Sequence, residues 1–232
     1  MEELKSTVAT GALSTAQRYM RHVYNWMTVG LLLTAASAWM VASTPALLSL
    51  LFGNTVGLVV LGIAVIALPM VLSGMISRLS SGAATALFIA YSVLMGCFLS
   101  PVLLVYTGAS VFAAFAVTGG LFGCMSLYGA VTKRDLTSMG SFMFMGLIGI
   151  IIASIVNLFL HSAMMDFVLS VICVIVFTGL TAFDTQKLLS FGSGMYGDGT
   201  AVRRGALLGA LTLYLDFVNL FLASLRLLGD RR

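Results

Sequence analysis

Seven stretches of about 20 apolar residues, parted by short polar breaks, leave this chain few ways to fold. They run roughly over Tyr24–Val41, Val56–Ile76, Ala83–Leu104, Val111–Tyr128, Ser141–Leu160, Phe167–Phe183 and Ala206–Leu227. At 1.5 Å per residue such a stretch, wound as a helix, matches the roughly 30 Å of a bilayer's hydrocarbon. A backbone in lipid must satisfy its own hydrogen bonds, and a helix does so within each segment. Only 9% of the 232 residues are charged and 60% are apolar, against about 25% charged in a typical soluble domain. The fold expected is therefore all-α: a polytopic membrane protein with seven transmembrane helices in a single domain over residues 23–232. Residues 1–22 are expected to form a mobile or interfacial tail. Glu2, Glu3, Lys5, Arg18 and Arg21 stand before the first apolar run. That run is long enough to stay in the membrane, so no cleavable signal peptide is expected.

Charge orients the spans. Three basic residues precede the first, Arg78 follows the second, Lys133 and Arg134 the fourth, and Lys187, Arg203 and Arg204 the sixth, while the first, third and fifth connections have none. The positive-inside rule then places the N-terminus and the even connections in the cytoplasm. A pI near 9.2 is explained by this topology, and no nucleic-acid partner is expected. Arg226, Arg231 and Arg232 emerge on the far side if the seventh segment crosses fully. A segment that entered and returned would keep them inside. Full crossing is preferred, because the segment is long and has no Pro to break it. The stretch "SFGSGMYGDGTAVRR", with Asp198, predicts a long flexible connection before it.

Pro69 and Pro101 fall within apolar runs and predict kinks. The pairs Gly119/Gly123 and Gly205/Gly209 fit the spacing of closely packed helices. Cys97, Cys124 and Cys173 occupy three different runs without metal-ligand spacing, so packing roles are expected. Asn157 and Asn219 are suited to bridging helices, and His161 and Asp166 to a solvated outer connection.

Asp216, in "YLDF", is the acid most deeply placed in an apolar run, where a charge costs on the order of 3 kcal/mol on insertion scales. Nothing one turn away on its own helix pairs with it, so its partner must come from another helix. Asp184, in "FDTQK", is the natural candidate. With the sixth helix ending near Leu188, Asp184 lies roughly 5 Å below that end and Asp216 about 15 Å deep. The spacing allows a pair without demanding one. Two carboxyls brought together tend to share one proton and respond to pH. Ionised, they offer hard oxygen ligands to a cation such as Ca²⁺ in transient contact. Arg78, at the end of the second run, is either a topology anchor or a partner for Asp184.

Four stretches resemble the Bax inhibitor family, the transmembrane Bax inhibitor motif proteins, and within it a bacterial inner-membrane member. They are "YNWMTVGLLLTA" at Tyr24–Ala35, "FGCMSLYGAVTKRDL" at Phe122–Leu136, "GLTAFDTQKL" at Gly179–Leu188 and "LYLDFVNLFLASLRLLG" at Leu213–Gly229. The last two are the most specific, and the tail before Arg18 lies outside the likeness. The resemblance implies a bundle whose last helix is central and wrapped by the other six. It implies a paired-aspartate pH sensor at Asp184 and Asp216, and a pH-sensitive calcium leak with Ca²⁺ as permeant ion and no cofactor. It also implies that Arg78 is a latch bonded to the first aspartate of the pair. Some relatives carry an acid within the second helix; Val56–Ser77 has none here.

Two other readings compete with a leak pathway. Bacterial relatives are associated with restraint of a membrane-bound ATP-dependent protease and with stress tolerance, which implies an interaction protein. An intramembrane aspartyl protease would use two acids that share a proton. The motifs here, Phe183-Asp184 and Leu215-Asp216, do not match the Tyr-Asp and Gly-x-Gly-Asp of such enzymes, so no enzymatic activity is expected. A proton-coupled carrier would show broken helices paired across two halves, and this chain shows no such signal.

Overall fold

The structure, a computed structural model, describes residues 2–76, 78–194 and 199–232, and the side chains of 2–14 and of Thr200 are left aside. Among the described residues it is helical with no strand: α1 Glu2–Ala42, α2 Pro45–Phe52, α3 Thr55–Met75, α4 Ser81–Leu99, α5 Val102–Val105, α6 Gly108–Val131, α7 Thr137–Leu160, α8 Ala163–Ser193 and α9 Gly199–Leu228. Seven segments among these residues are long and apolar enough to cross a membrane: Thr15–Ala42, Thr55–Met75, Ser81–Val105, Gly108–Val131, Thr137–Leu160, Ala163–Ser193 and Ala201–Leu228. The polytopic all-α expectation holds. Burial is uneven among them. The most apolar window of α9 is 67% buried and that of α7 only 6%, so α9 is the enclosed span and α7 faces lipid along most of its surface.

Several local features depart from expectation. Helix α1 begins at Glu2, so the segment expected as a mobile or interfacial tail is helical, a form an interfacial segment also takes. The third apolar run is not a kinked helix. It breaks at Ser100–Pro101 into α4 and α5, because Pro101 has no N–H to continue the ladder and its ring crowds the preceding turn. Pro69, by contrast, sits inside an α3 that runs on through it. The sixth connection is shorter than expected. Helix α8 continues to Ser193 and α9 takes up Arg203 and Arg204, leaving residues 194–198 between them; Asp198 lies outside the described residues. Helix α2, opened by Pro45 at its first turn, where a missing N–H costs nothing, occupies what was expected as a plain loop.

The chain divides into two compact units whose boundaries fall within α8, after Leu189, and within α9, after Tyr214. One comprises residues 1–105, 190–214 and 232, the other 106–189 and 215–231. In the first, Tyr214 of α9 places its hydroxyl 2.7 Å from Thr34 Oγ1 of α1. Thr34 Oγ1 also lies 2.9 Å from the carbonyl oxygens of Gly30 and of Ser92 on α4. The Tyr214 ring stands edge-on to Tyr91 and Phe88, with centroids 5.9 and 6.2 Å away, a favoured aromatic geometry. Gly96 lets α4 approach α1 here, since a Cβ would strike Ser37 Oγ and the Thr34 carbonyl.

In the second unit α6 and α8 cross at Gly129, where a Cβ would run into the Ala182 carbonyl oxygen. Ser126 Oγ and Thr185 Oγ1 bond at 3.0 Å beside that crossing. The first of the glycine pairs singled out by spacing behaves otherwise. Gly119 and Gly123 are exposed and a Cβ on either meets nothing within 4 Å. Gly96 and Gly129 are thus where one spanning helix meets the backbone of another.

At the start of α7, Asp135 accepts from Thr137 N at 2.9 Å and from its hydroxyl. Those bonds hold the Asp135 carboxyl below the usual carboxylate range, so this contact is in place at neutral pH and weakens as acid protonates it. Beyond α9, Thr107 N donates to Asp230 O at 3.2 Å, Asp230 N to Ser110 Oγ at 2.9 Å, and the Arg231 guanidinium lies 6.0 Å from the Tyr106 ring centroid. The third connection thus meets the chain's last residues. Four spans separate them, so α9 crosses fully and does not turn back.

Gly129→Ala is expected to lower stability by about 1–3 kcal/mol, the usual cost of overpacking. Gly123→Ala is expected to raise it by roughly 0.5–1 kcal/mol through helix propensity alone. Thermal unfolding in detergent of the two variants beside the parent checks both signs.

Candidate functional site

Asp184 is half-buried on α8, and Asp216 on α9 is 4% exposed. Their side chains are hydrogen-bonded to each other. The pair that spacing merely allowed is therefore formed. Nine residues, not four, separate Asp184 from the end of α8 at Ser193, about 14 Å. Asp216 stands seventeen residues after the start of α9 at Gly199, about 26 Å, so the two helices are offset along their axes and their packing against α6, not equal depth, brings the acids together. A carboxylate has no hydrogen to donate, so a bond between two carboxyls holds one proton. The second Asp216 oxygen, Oδ2, meets no hydrogen-bond partner among the described residues.

The residues after Asp184 fix its position. Helical geometry turns successive side chains by about 100°, so three neighbours address three different structures. Asp184 meets α9. Thr185, fully buried, meets Ser126 of α6. Gln186 bridges the α6–α7 connection: its Oε1 accepts from Leu136 N at 2.9 Å and its Nε2 donates to Arg134 O at 2.8 Å. Lys187, one turn past Asp184, is exposed and is the cation acting on it electrostatically. Its Nζ lies 5.7 Å from the Phe183 ring centroid. Sequence reasoning missed Thr185, Gln186 and Ser126. The signal available was a polar triplet inside an otherwise apolar helix, where each uncompensated polar group is costly.

On the other side of Asp216, Phe217 meets Phe115 and Phe122 of α6 with centroids 5.4 and 5.5 Å apart. These rings hold α9 against α6 and keep the acid within an apolar surround. Asn219 does not bridge helices as expected; its amide donates to Leu215 O of its own helix at 2.8 Å. Asn157 does. Its Nδ2 donates to Asp166 Oδ1 on α8 at 2.6 Å, its Oδ1 accepts from Ser162 N, and His161 between them takes a left-handed conformation at φ 49°. Arg78 is exposed in the turn between α3 and α4, where its N–H donates to Met75 O at 2.9 Å. It belongs to the first compact unit, whereas both acids belong to the second.

Among the described residues no three His, Cys, Asp or Glu side chains gather as a metal-holding group. The pair alone presents two carboxyls, too few oxygens to enclose Ca²⁺, which takes six to eight. Transient contact with a passing ion is the chemistry two such groups fit. Cys97, Cys124 and Cys173 are free thiols on α4, α6 and α8.

Comparison with known proteins agrees with this architecture. The family model described as "Inhibitor of apoptosis-promoting Bax1" matches residues 16–232. The inner membrane protein YbhL of Escherichia coli K12 is 54% identical over 217 residues, 93% of each chain. Uncharacterised proteins of Rickettsia prowazekii and Borreliella burgdorferi are 44% and 40% identical over 93% of this chain, and over 91% and 93% of their own lengths. With a family match across nearly the whole chain and relatives this similar along their full length, the protein belongs to the Bax inhibitor family.

Proposed function

We propose that the protein is a pH-sensitive leak pathway for Ca²⁺ or a similar cation across the bacterial inner membrane, gated by the protonation of Asp184 and Asp216. The observation that carries this reading is the hydrogen bond between the two carboxyls within a pair of membrane-spanning helices. One proton keeps α8 and α9 joined at that level. Its loss at higher pH leaves two carboxylates facing each other, and like charges at short range in a medium of low dielectric repel strongly. The α8–α9 contact is then a two-state element biased by pH. Lys187 is the charged group on α8 that acts on Asp184. Arg78 is assigned the role of latch, taking up Asp184 when the pathway is shut.

The inner-membrane location rests on the name of the Escherichia coli relative and on the seven apolar spans. The excess of basic residues in even connections supports a cytoplasmic N-terminus. The third connection and the residues after α9 then lie outside. Partners on this reading are the bilayer lipids, protons and the permeant cation. The chemistry is passage, not catalysis. The competing reading, an interaction protein that modulates a membrane-bound ATP-dependent protease without transport, leaves flux independent of both acids.

Purified protein in liposomes is expected to pass Ca²⁺ at a rate that changes between about pH 6 and 8, because the α8–α9 contact turns on one shared proton. Asp184→Asn and Asp216→Asn are each expected to bring the ratio of rates at the two pH values to roughly one. A ratio unchanged in both variants rules out the gate. Arg78→Ala is expected to raise flux at the pH where the parent is closed while keeping a pH response; flux equal to the parent's removes the latch. A reporter fused after Arg232 is expected to be active outside and inactive in the cytoplasm, and the opposite result reverses the orientation.

A further inference from the structure

We propose that α6, α8 and α9 enclose a hydrated file of hydroxyls, Thr118, Thr178 and Ser224, along which a small hard cation reaches the acid pair. The proposal rests on the transport reading above and adds the route to it. Its starting point is four buried oxygens, Thr118 Oγ1, Thr178 Oγ1, Ser224 Oγ and Asp216 Oδ2, which meet no hydrogen-bond partner among the described residues. All four belong to the second compact unit. Thr118 is fully buried and Ser224 is 2% exposed. A helical Ser or Thr ordinarily satisfies its hydroxyl on the carbonyl four residues back. Ser170, Thr181 and Thr212 all do so here, on Asp166, Phe177 and Leu208. The hydroxyls of Thr118, Thr178 and Ser224 do not, and burying a hydroxyl unpaired costs free energy that water repays.

Their placement forms a path. Spans α6 and α8 run in the same direction, because α7 reverses the chain between them. The Ser126–Thr185 bond joins them beside the acid pair. Thr118 lies eight residues before Ser126, and Thr178 seven before Thr185. Each is two turns, about 11 Å, back along its helix and on the same face. They form the next rung of a ladder whose first rung is closed and whose second is unpaired.

Span α9 runs opposite to α8, and Ser224, eight residues past Asp216, lies about 12 Å along it in the same direction. Ser224 shares a face with Phe217 and Phe221, three and seven residues back, and both rings meet Phe115 of α6. Thr118 stands between Phe115 and Phe122 on the α6 face that meets Phe217. Two unpaired hydroxyls are thus set on the facing sides of α6 and α9. Oxygen donors of this kind, ending in a carboxyl, suit a hard cation with part of its water shell.

Thr118→Val combined with Ser224→Ala keeps shape while removing both hydroxyls. In Ca²⁺-gradient liposomes this variant is expected to lose most of its flux, while the ratio of rates at low and high pH stays that of the parent and Thr118→Ser restores transport. Parental flux in the double variant, with Asp216→Asn still abolishing the pH response, overturns the file and leaves the gate standing. A variant that loses proton flux under a pH gradient but keeps Ca²⁺ flux overturns the cation assignment. If the parent passes no Ca²⁺ at all, the transport reading fails first, and thiol accessibility judges the file separately. In a Cys97→Ala, Cys124→Ala, Cys173→Ala background, Thr118→Cys and Ser224→Cys are expected to react with a small water-soluble methanethiosulfonate faster than Gly123→Cys on the exposed face. No reaction at either position means dry packing and overturns the proposal.

Discussion

A carboxyl in an apolar helix is tolerable only where something takes up its charge or its proton, and here that something is a second carboxyl on the neighbouring helix. The requirement reaches well beyond the pair. For two short side chains to touch, α8 and α9 must approach closely and in one register, and both must be held there by other contacts. Phe115 and Phe122 hold α9 through Phe217. Gly129 and the Ser126–Thr185 bond hold α8 to α6. Helix α6 is therefore the common abutment, and displacing it moves both acids.

The triplet Asp184-Thr185-Gln186 shows how little sequence such a device needs. Each step along the helix turns about 100°, so three consecutive polar residues face α9, α6 and the α6–α7 connection in turn. Two are satisfied outright, Thr185 by a hydroxyl and Gln186 by two backbone groups. Only the acid retains a bond that depends on a proton. If the pair gates as proposed, its rigid neighbours are what would turn a titration into a mechanical event, because a carboxyl on a loose helix relieves its repulsion by drifting. Gln186 also ties the first residues before α7, where Asp135 makes its own turn with Thr137, to the helix that carries Asp184.

Spans and acids were legible in the sequence because both follow from solvation, which acts on each residue type much alike wherever it stands. Seven apolar runs fixed seven helices to within several residues at most ends, and an Asp inside one of them demanded a partner. Features that depend on which helix neighbours which were not legible. Gly119/Gly123 and Gly129 read alike as small residues, yet only Gly129 meets a backbone, since only that face of α6 touches α8. Asn157 and Asn219 read alike as bridging amides. The first reaches Asp166 across a tight turn, while the second falls back on its own helix. The length of α8 was hidden for a different reason: "LLSFGS" looks like the start of a loop, because serine and glycine are poor helix formers in isolation. Contact between Phe191 and Gly192 and the ring of Tyr19 overrides that preference and carries the helix on to Ser193.

Hydroxyls in the spans divide by the same logic. Where a threonine has no task beyond fitting an apolar helix, its oxygen folds back on the carbonyl one turn earlier, as at Thr181, and the residue behaves as a valine of slightly different shape. Where it ties helices together, its oxygen finds another chain segment, as at Thr34 and Thr185. The oxygens of Thr118, Thr178 and Ser224 do neither, and all three lie in the unit that holds the acid pair. Natural interiors satisfy nearly all their buried polar atoms, so several exceptions gathered along one set of helices are not what packing alone produces. On the proposed reading the pair supplies a charge that responds to protons, and the hydroxyls supply neutral oxygens at intervals of about two turns. An ion moving between such positions exchanges one partial oxygen shell for another, a smaller step than shedding its water at a single site. A lone buried acid would be a trap, binding a cation too firmly to release it; in the proposed route, neutral donors set along the approach would turn binding into passage.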